Sequence, residues 1–184
     1  MTIPTLVRPL AEFPADDTID RRAVLVGTQG REEYRYRLER GWDRSLPLCV
    51  WLMLNPSTAD ALVDDATIRK CMRFAFQWGY GGIVVVNLYA WRSRHPKALL
   101  DPAIDPVGPE NDDFIRQACA DAQLVVCGWG SLPFAAERAR TVPAMVRSPH
   151  CLGLTRSGEP RHPLMLAYAT PVQRFESRPA AVVS

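Results

Sequence analysis

Three apolar runs of this chain end on residues that could do chemistry. Leu48 to Leu54 stops at Asn55-Pro56-Ser57-Thr58, Ile83 to Val86 stops at Asn87, and Leu124 to Cys127 stops at Gly128-Trp129-Gly130. Buried strands that deliver polar or small residues at their carboxyl ends point to a ligand site, because ligands of open α/β sheets bind along that edge. A carboxamide such as Asn55 can orient a water or read the edge of a base, but it is no strong general base. Pro56 sets the turn. Backbone N–H groups at Ser57 and Thr58 could receive a phosphate. Ser57 lacks the flanking glycines of a nucleophile elbow, so it is read as a binding residue.

Asn87 ends a strand expected to be buried on both faces. Its amide needs partners there, either the edge of a base or a neighbouring loop. Asp60, Asp64 and Asp65 form an acidic cluster in which Asp64 or Asp65 is a natural helix cap; a catalytic or metal role is the alternative. His150, in Ser148-Pro149-His150-Cys151, follows a short expected strand and is placed at the same edge as Asn55 and Asn87, as a polar catalytic group. His162, in Glu159-Pro160-Arg161-His162-Pro163, and Trp129-Gly130 are binding candidates. Trp91-Arg92-Ser93-Arg94 combines stacking and phosphate-binding groups. No CxxC, HxxxH or HExxH spacing occurs, and neither GxxxxGK[ST] nor GxGxxG is present, so no metal and no cofactor is expected.

The elements that must hold these residues can be read from periodicity. Residues 1–20 look like an arm. Ala23 to Val26 and Glu33 to Leu38 read as an antiparallel hairpin turned at Gly27 to Gly30. Ile68, Cys71, Met72 and Ala75 fall at helical spacing, and Gly79, Gly81 and Gly82 end that helix. Asn111-Asp112 can cap a second helix carrying Ile115, Ala118, Cys119 and Ala122. Pro133 to Arg140 reads as a third helix and Ala144 to Val146 as a fourth central strand. Strands alternating with helices predict a three-layer α/β/α fold with a short, mostly parallel central sheet and an N-terminal antiparallel hairpin. One domain over residues 21–176, followed by a flexible tail at 177–184, is expected.

With 184 residues and a formal net charge of +2, the chain is neither strongly basic nor strongly acidic. Five cysteines without paired spacing read as buried thiols in a reducing compartment. No apolar run is long enough for a membrane span. A cytoplasmic protein with no membrane partner is expected; oligomeric state is not legible.

The set Met53 to Asp60, Asp64 to Arg69, Gly79 to Gly82, Val86-Asn87-Leu88, Pro106 to Asp112, Trp129-Gly130 and Gly158 to Leu164 resembles the DUF1643 family of bacterial and phage proteins. That family name carries no function. More distantly, the order of motifs is similar to the uracil-DNA glycosylase superfamily, especially its mismatch-specific uracil/thymine branch. Asn55-Pro56-Ser57 stands where that branch has Asn-Pro-Gly. Asn87-Leu88-Tyr89-Ala90-Trp91-Arg92 matches its second strand end, and Ser148 to Leu152 matches its late loop. The resemblance implies that Asn55 positions the attacking water, that Asn87 lies near a flipped base, and that His150 or its loop contacts the leaving base or the DNA, without a metal.

The expected function is therefore a nucleobase-directed enzyme, an N-glycosidase or base-modifying enzyme, with nucleic acid or nucleotide as partner. Asn55, His150 and Asp65 are its expected catalytic residues. Pro56, Ser57, Thr58, Asp64, Asn87, Tyr89, Arg92, Trp129, Gly130 and His162 are the expected binding residues. A non-catalytic nucleic-acid or nucleotide-binding module, and a metal-assisted hydrolase built on Asp60, Asp64 and Asp65, are the alternatives.

Overall fold

The computed structural model describes residues 8–27 and 33–176. Residues 28–30 of the expected hairpin turn and the expected tail at 177–184 lie outside the described residues. Seven strands, β1 (Asp20–Val26), β2 (Tyr34–Gly41), β3 (Leu48–Met53), β4 (Gly82–Asn87), β5 (Val125–Cys127), β6 (Pro149–Cys151) and β7 (Gln173–Arg174), form one sheet in the order β1-β2-β4-β3-β5-β6-β7. The helices are α1 (Ala66–Gln77), α2 (Asn111–Ala120) and α3 (Ala136–Thr141).

The sheet is mixed. β4, β3, β5 and β6 run parallel, but β1–β2, β2–β4 and β6–β7 are antiparallel, half of the six pairings. The expected mostly parallel sheet is corrected accordingly. The hairpin does not stand apart from the sheet: Leu38 to Gly41 of β2 pair with β4, whose six residues are all buried. An open edge of that apolarity would invite aggregation, and β2 covers it.

Alternation along the strands splits the core in two. Cys49, Trp51, Met53, Ile83 and Val85 face α1 through Ile68, Cys71, Met72 and Ala75. Val50, Leu52, Val84 and Val86 face α2 and α3 through Ile115, Cys119 and Ala139. The helix expected at Ile68, Cys71, Met72 and Ala75 is α1, and Asp65 caps it, accepting from Ile68 N at 2.9 Å. Asp65→Ala is expected to cost about 1 kcal/mol, read as a lower urea midpoint with an unchanged slope.

Three further expectations change. Asn111 does not cap α2; Glu110 occupies that position, and buried Asn111 instead donates to Asn87 O and Leu88 O at 3.0 and 3.1 Å. Ala144 to Val146 is no strand: Val142–Met145 is a 3-10 turn, since Pro143 lacks an N–H for a ladder and suits a first helical turn. The fourth parallel strand is β6, three residues later. The part of the expected arm that is described packs onto α1, with Phe13 against Trp42 and Phe76 at ring separations of 5.8 and 5.3 Å.

The loop between β3 and α1 is anchored from β2. Arg40, fully buried, pairs with Asp64 Oδ1 at 2.6 Å and donates to Asp60 O at 2.6 Å, while Arg21 reaches Asp64 Oδ2 at 3.2 Å. Among the described residues no helix is long and apolar enough to cross a membrane. All five cysteines are buried and unpaired.

Candidate functional site

β3 leads to α1 on one face of the sheet, whereas β4 and β5 lead to α2 and α3 on the other. Connections therefore diverge at the carboxyl end of β3, the topological position at which open sheets form a crevice. A cavity of about 340 Å³ lies there, within the size range of small-molecule sites. Met53, Ile68, Val85, Trp129 and Leu132 supply apolar wall. Arg35, Asn55, Asp65, Asn87 and His162 supply the chemistry.

Asn87 decides the character of this cavity. It is 1% exposed, and among the described residues neither Nδ2 nor Oδ1 has a hydrogen-bond partner. Sheet alternation turns it toward α1, away from Asn111, which takes only its backbone carbonyl. Leaving buried polar groups unpaired costs about 1–3 kcal/mol each. A donor and an acceptor side by side are the pattern that an amide-like edge would satisfy.

Asn55 contrasts with it. Its Nδ2 donates to Pro56 O and to Ser93 O, both at 2.9 Å, which fixes the turn to the loop after β4. Its Oδ1 is what remains for a ligand or water. His162 Nδ1 accepts from Leu164 N at 3.4 Å, so the neutral ring carries its proton on Nε2. Burial pushes the His162 pKa down, partly offset by the charge of Asp65. The folded protein thus binds this proton less readily than the unfolded chain, whose histidines titrate near 6.5. Stability is expected to be full above that pH and to decline as pH falls below it. In urea titrations across this range, His162→Gln should flatten the slope, leaving the share of His150, which burial also pushes down.

Arg35 escapes a reading by alternation. In register with Arg37 and Glu39 it would point away from α1. The β1–β2 ladder shifts between Val24 and Leu25, which pair with Arg37 and Arg35, so Tyr36 is an extra residue in β2. Such a bulge re-aims the side chains beyond it. Tyr36 stacks on Phe114 of α2 at 5.0 Å, and Arg35 turns into the cavity at 3% exposure. Its Nη1 donates to Ala59 O at 2.8 Å, while Nε has no partner. Burial lowers its pKa to about 10, with Asp65 opposing, so it is charged at neutral pH.

The structure brings together Asn55, Ser57, Asp65, Asn87, Trp129, Gly130 and His162 of the residues expected from sequence. Trp129 Nε1 donates to Glu159 at 2.7 Å, and Gly130 holds a φ of 77° that favours glycine while its N–H donates to Pro160 O at 2.9 Å. Other candidates lie apart. Pro56 is buried beneath the turn, accepting from Ser93 N, and Thr58 does not line the cavity. Tyr89 belongs to the core on the opposite face, donating to Phe134 O at 3.3 Å. Arg92 lies outside the lining, where Arg94 takes its place.

His150 is the largest displacement. It sits within β6, paired in register with Val126, and borders a separate cavity with Gln123, Val125 and Arg174. The carboxyl-edge position expected for it is occupied by His162, because the strand starts later than the sequence suggested. The three acidic residues also separate: Asp60 accepts from Leu62 N and Val63 N, Asp64 pairs with Arg40, and Asp65 caps α1. Among the described residues no three His, Cys, Asp or Glu side chains are grouped to hold a metal. Sequence reasoning missed Arg35, Thr67 and Ser131 as lining residues. Only the bulge, invisible to a period-2 pattern, reveals Arg35.

Residues 35–164, from Arg35 itself through the His162 loop, match the family described as "Protein of unknown function (DUF1643)". The chain belongs to the DUF1643 family. No curated protein and no solved structure matches it. Every residue lining the cavity falls within the matched stretch, so the pocket is built wholly from the DUF1643 region.

Proposed function

We propose that this DUF1643 protein is a nucleobase-directed enzyme, cleaving an N-glycosidic bond or carrying out a related transfer at a base, with its pocket at the carboxyl edge of β3, β4 and β5. The observation that supports it most is the buried amide of Asn87, unpaired at both atoms inside an apolar-walled cavity. A base edge with an adjacent donor and acceptor would satisfy both, as Asn does in bidentate base contacts. Trp129, Met53 and Ile68 supply apolar wall against which a ring can pack.

In this reading Asn55 Oδ1 accepts from a water and holds it toward the anomeric carbon. As water adds there and the C–N bond breaks, the base leaves with the bonding electrons and takes up the proton that the water gives up, leaving a hydroxyl on the sugar. His162 Nε2–H and the Arg35 charge offset the negative charge that develops on it. Asp65, at the cavity wall, favours the positive charge developing on the sugar. The Asn-Pro-Ser turn, the helix after it and the strand ending at Asn87 agree with the resemblance to the uracil-DNA glycosylase superfamily, and a glycosylase-like layering is part of the proposal. Five buried thiols suit a cytoplasmic setting.

The test is a mass-spectrometric screen for bases released from modified and unmodified nucleic acids and nucleotides. Asn55→Ala is expected to cut turnover about 100-fold or more, the scale of a misplaced reactant, with folding intact. If Asn55→Ala and Asn87→Ala change affinity alone, the protein is a binding module. If no base is released and none binds, the nucleobase reading fails.

A further inference from the structure

Two loops beyond the sheet edge help to line the cavity. The loop after β4 contributes Ser93, Arg94 and Pro96 to the lining; the loop after β6 contributes His162. Both carry cations beside their lining residues. Lys97 follows Pro96, Arg161 precedes His162, and Arg156 precedes Ser157, whose Oγ lies 2.6 Å from that of the lining residue Ser131. Arg94, Lys97, Arg156 and Arg161 are all exposed.

Their surroundings differ from those of the arginines on β1, β2 and the loop after β2. Arg21, Arg22, Arg40 and Arg44 are each paired with an aspartate. None of Arg94, Lys97, Arg156 and Arg161 has an ion pair or side-chain hydrogen bond among the described residues. Residues 92–97 contain no acid, and the single acid of residues 153–161, Glu159, is held by Trp129 Nε1. The loop after β6 is also braced. Leu154 bridges to Pro160, Gly158 takes a φ of 84°, and Pro160 O accepts from Gly130 N at 2.9 Å. Arg156 and Arg161 thus ride on a built projection that is fastened to the cavity wall.

We propose that these two loops form a cationic clamp for a nucleic-acid strand, so that the substrate of the pocket is a polynucleotide and not a free base, nucleoside or mononucleotide. The inference rests on the nucleobase reading of the pocket. Four exposed cations with no ion pair among the described residues, carried on the two loops that help line the cavity, favour a polyanionic ligand over a neutral one. A lone nucleoside offers these cations nothing to bind, and one phosphate group could engage only one or two. Successive phosphates on both sides of an inserted base would engage both loops.

The test compares wild type with a Lys97→Ser/Arg156→Ser/Arg161→Ser variant, none of which lines the cavity, and with Asn87→Leu. A fluorescent single strand of about a dozen nucleotides, matching known single-strand site sizes, is titrated from about 50 to about 200 mM salt. Nucleoside binding is measured in parallel. At about 0.7 in slope per phosphate contact, the triple variant should lose about 2 in the slope of log affinity against log salt. It should lose about tenfold or more in strand affinity at low salt and keep nucleoside binding. Asn87→Leu should keep the salt slope and lose nucleoside binding. An unchanged slope and affinity in the triple variant, or no strand binding by wild type, overturns the clamp. A nucleoside that binds wild type and Asn87→Leu equally overturns the pocket reading while leaving the clamp standing.

Discussion

Replacing Asn87 by leucine should make this protein more stable and leave its pocket unable to bind. Among the described residues both amide atoms are buried without partners, and leucine has the same branching of heavy atoms and no polar atoms. Exchanging unsatisfied polar groups for apolar atoms of the same shape removes their desolvation cost, so a gain of about 1–3 kcal/mol is expected. In a domain of this size each kcal/mol raises the melting temperature by roughly 2–4 °C. Met53, Ile68 and Val85 form an apolar surround ready to receive the leucine. The same change deletes the donor and acceptor offered to a ligand. Calorimetric melting and nucleoside titration of one variant read both effects. A loss of more than about 1 kcal/mol would show that the amide has a structural role, and unchanged ligand binding would remove Asn87 from the site. Proteins keep such costly groups where function needs them.

Asp64→Ala is expected to be the most damaging single change on the site's framework. Arg40 is fully buried, and among the described residues Asp64 is its one carboxylate partner. Removing one member of a buried pair strands the other charge, at about 3–5 kcal/mol. Because Arg40 also donates to Asp60 O, the β3–α1 loop should loosen and carry Ser57 and Asp65 with it. The double variant Asp64→Leu/Arg40→Met should recover most of the stability, since an apolar replacement of a buried pair is often neutral or better. A double-mutant cycle by urea unfolding measures the coupling. A loss below about 1 kcal/mol for Asp64→Ala would mean that the pair behaves as a solvated surface contact.

These two residues show where sequence reading stops. Asn87 was legible as a polar side chain closing a strand buried on both faces, and its need for a partner followed from that. Whether Asn111 or a ligand would meet it was not legible, since both lie within reach in sequence terms. Asp64 and Asp65 looked interchangeable as adjacent acids. Their division into an ion-pair anchor and a helix cap depends on Arg40, which comes from a strand 24 residues earlier.

The local periods of the chain were sufficient to determine that three central strands end just before Asn55, at Asn87 and just before Gly128, and that α1 presents Ile68, Cys71, Met72 and Ala75 to the sheet. Burial imposes a period of two on strands and of 3.6 on helices, and both are written directly into residue order. Tertiary structure decided the rest. It placed His162 at that edge and His150 at another cavity, because Pro143 turned an apolar stretch into a 3-10 turn and moved the fourth parallel strand to Pro149. It turned Arg35 inward through one extra residue in β2. A bulge and a strand start are set by pairing with distant partners, and those pairings reverse the face a side chain takes without changing any local pattern.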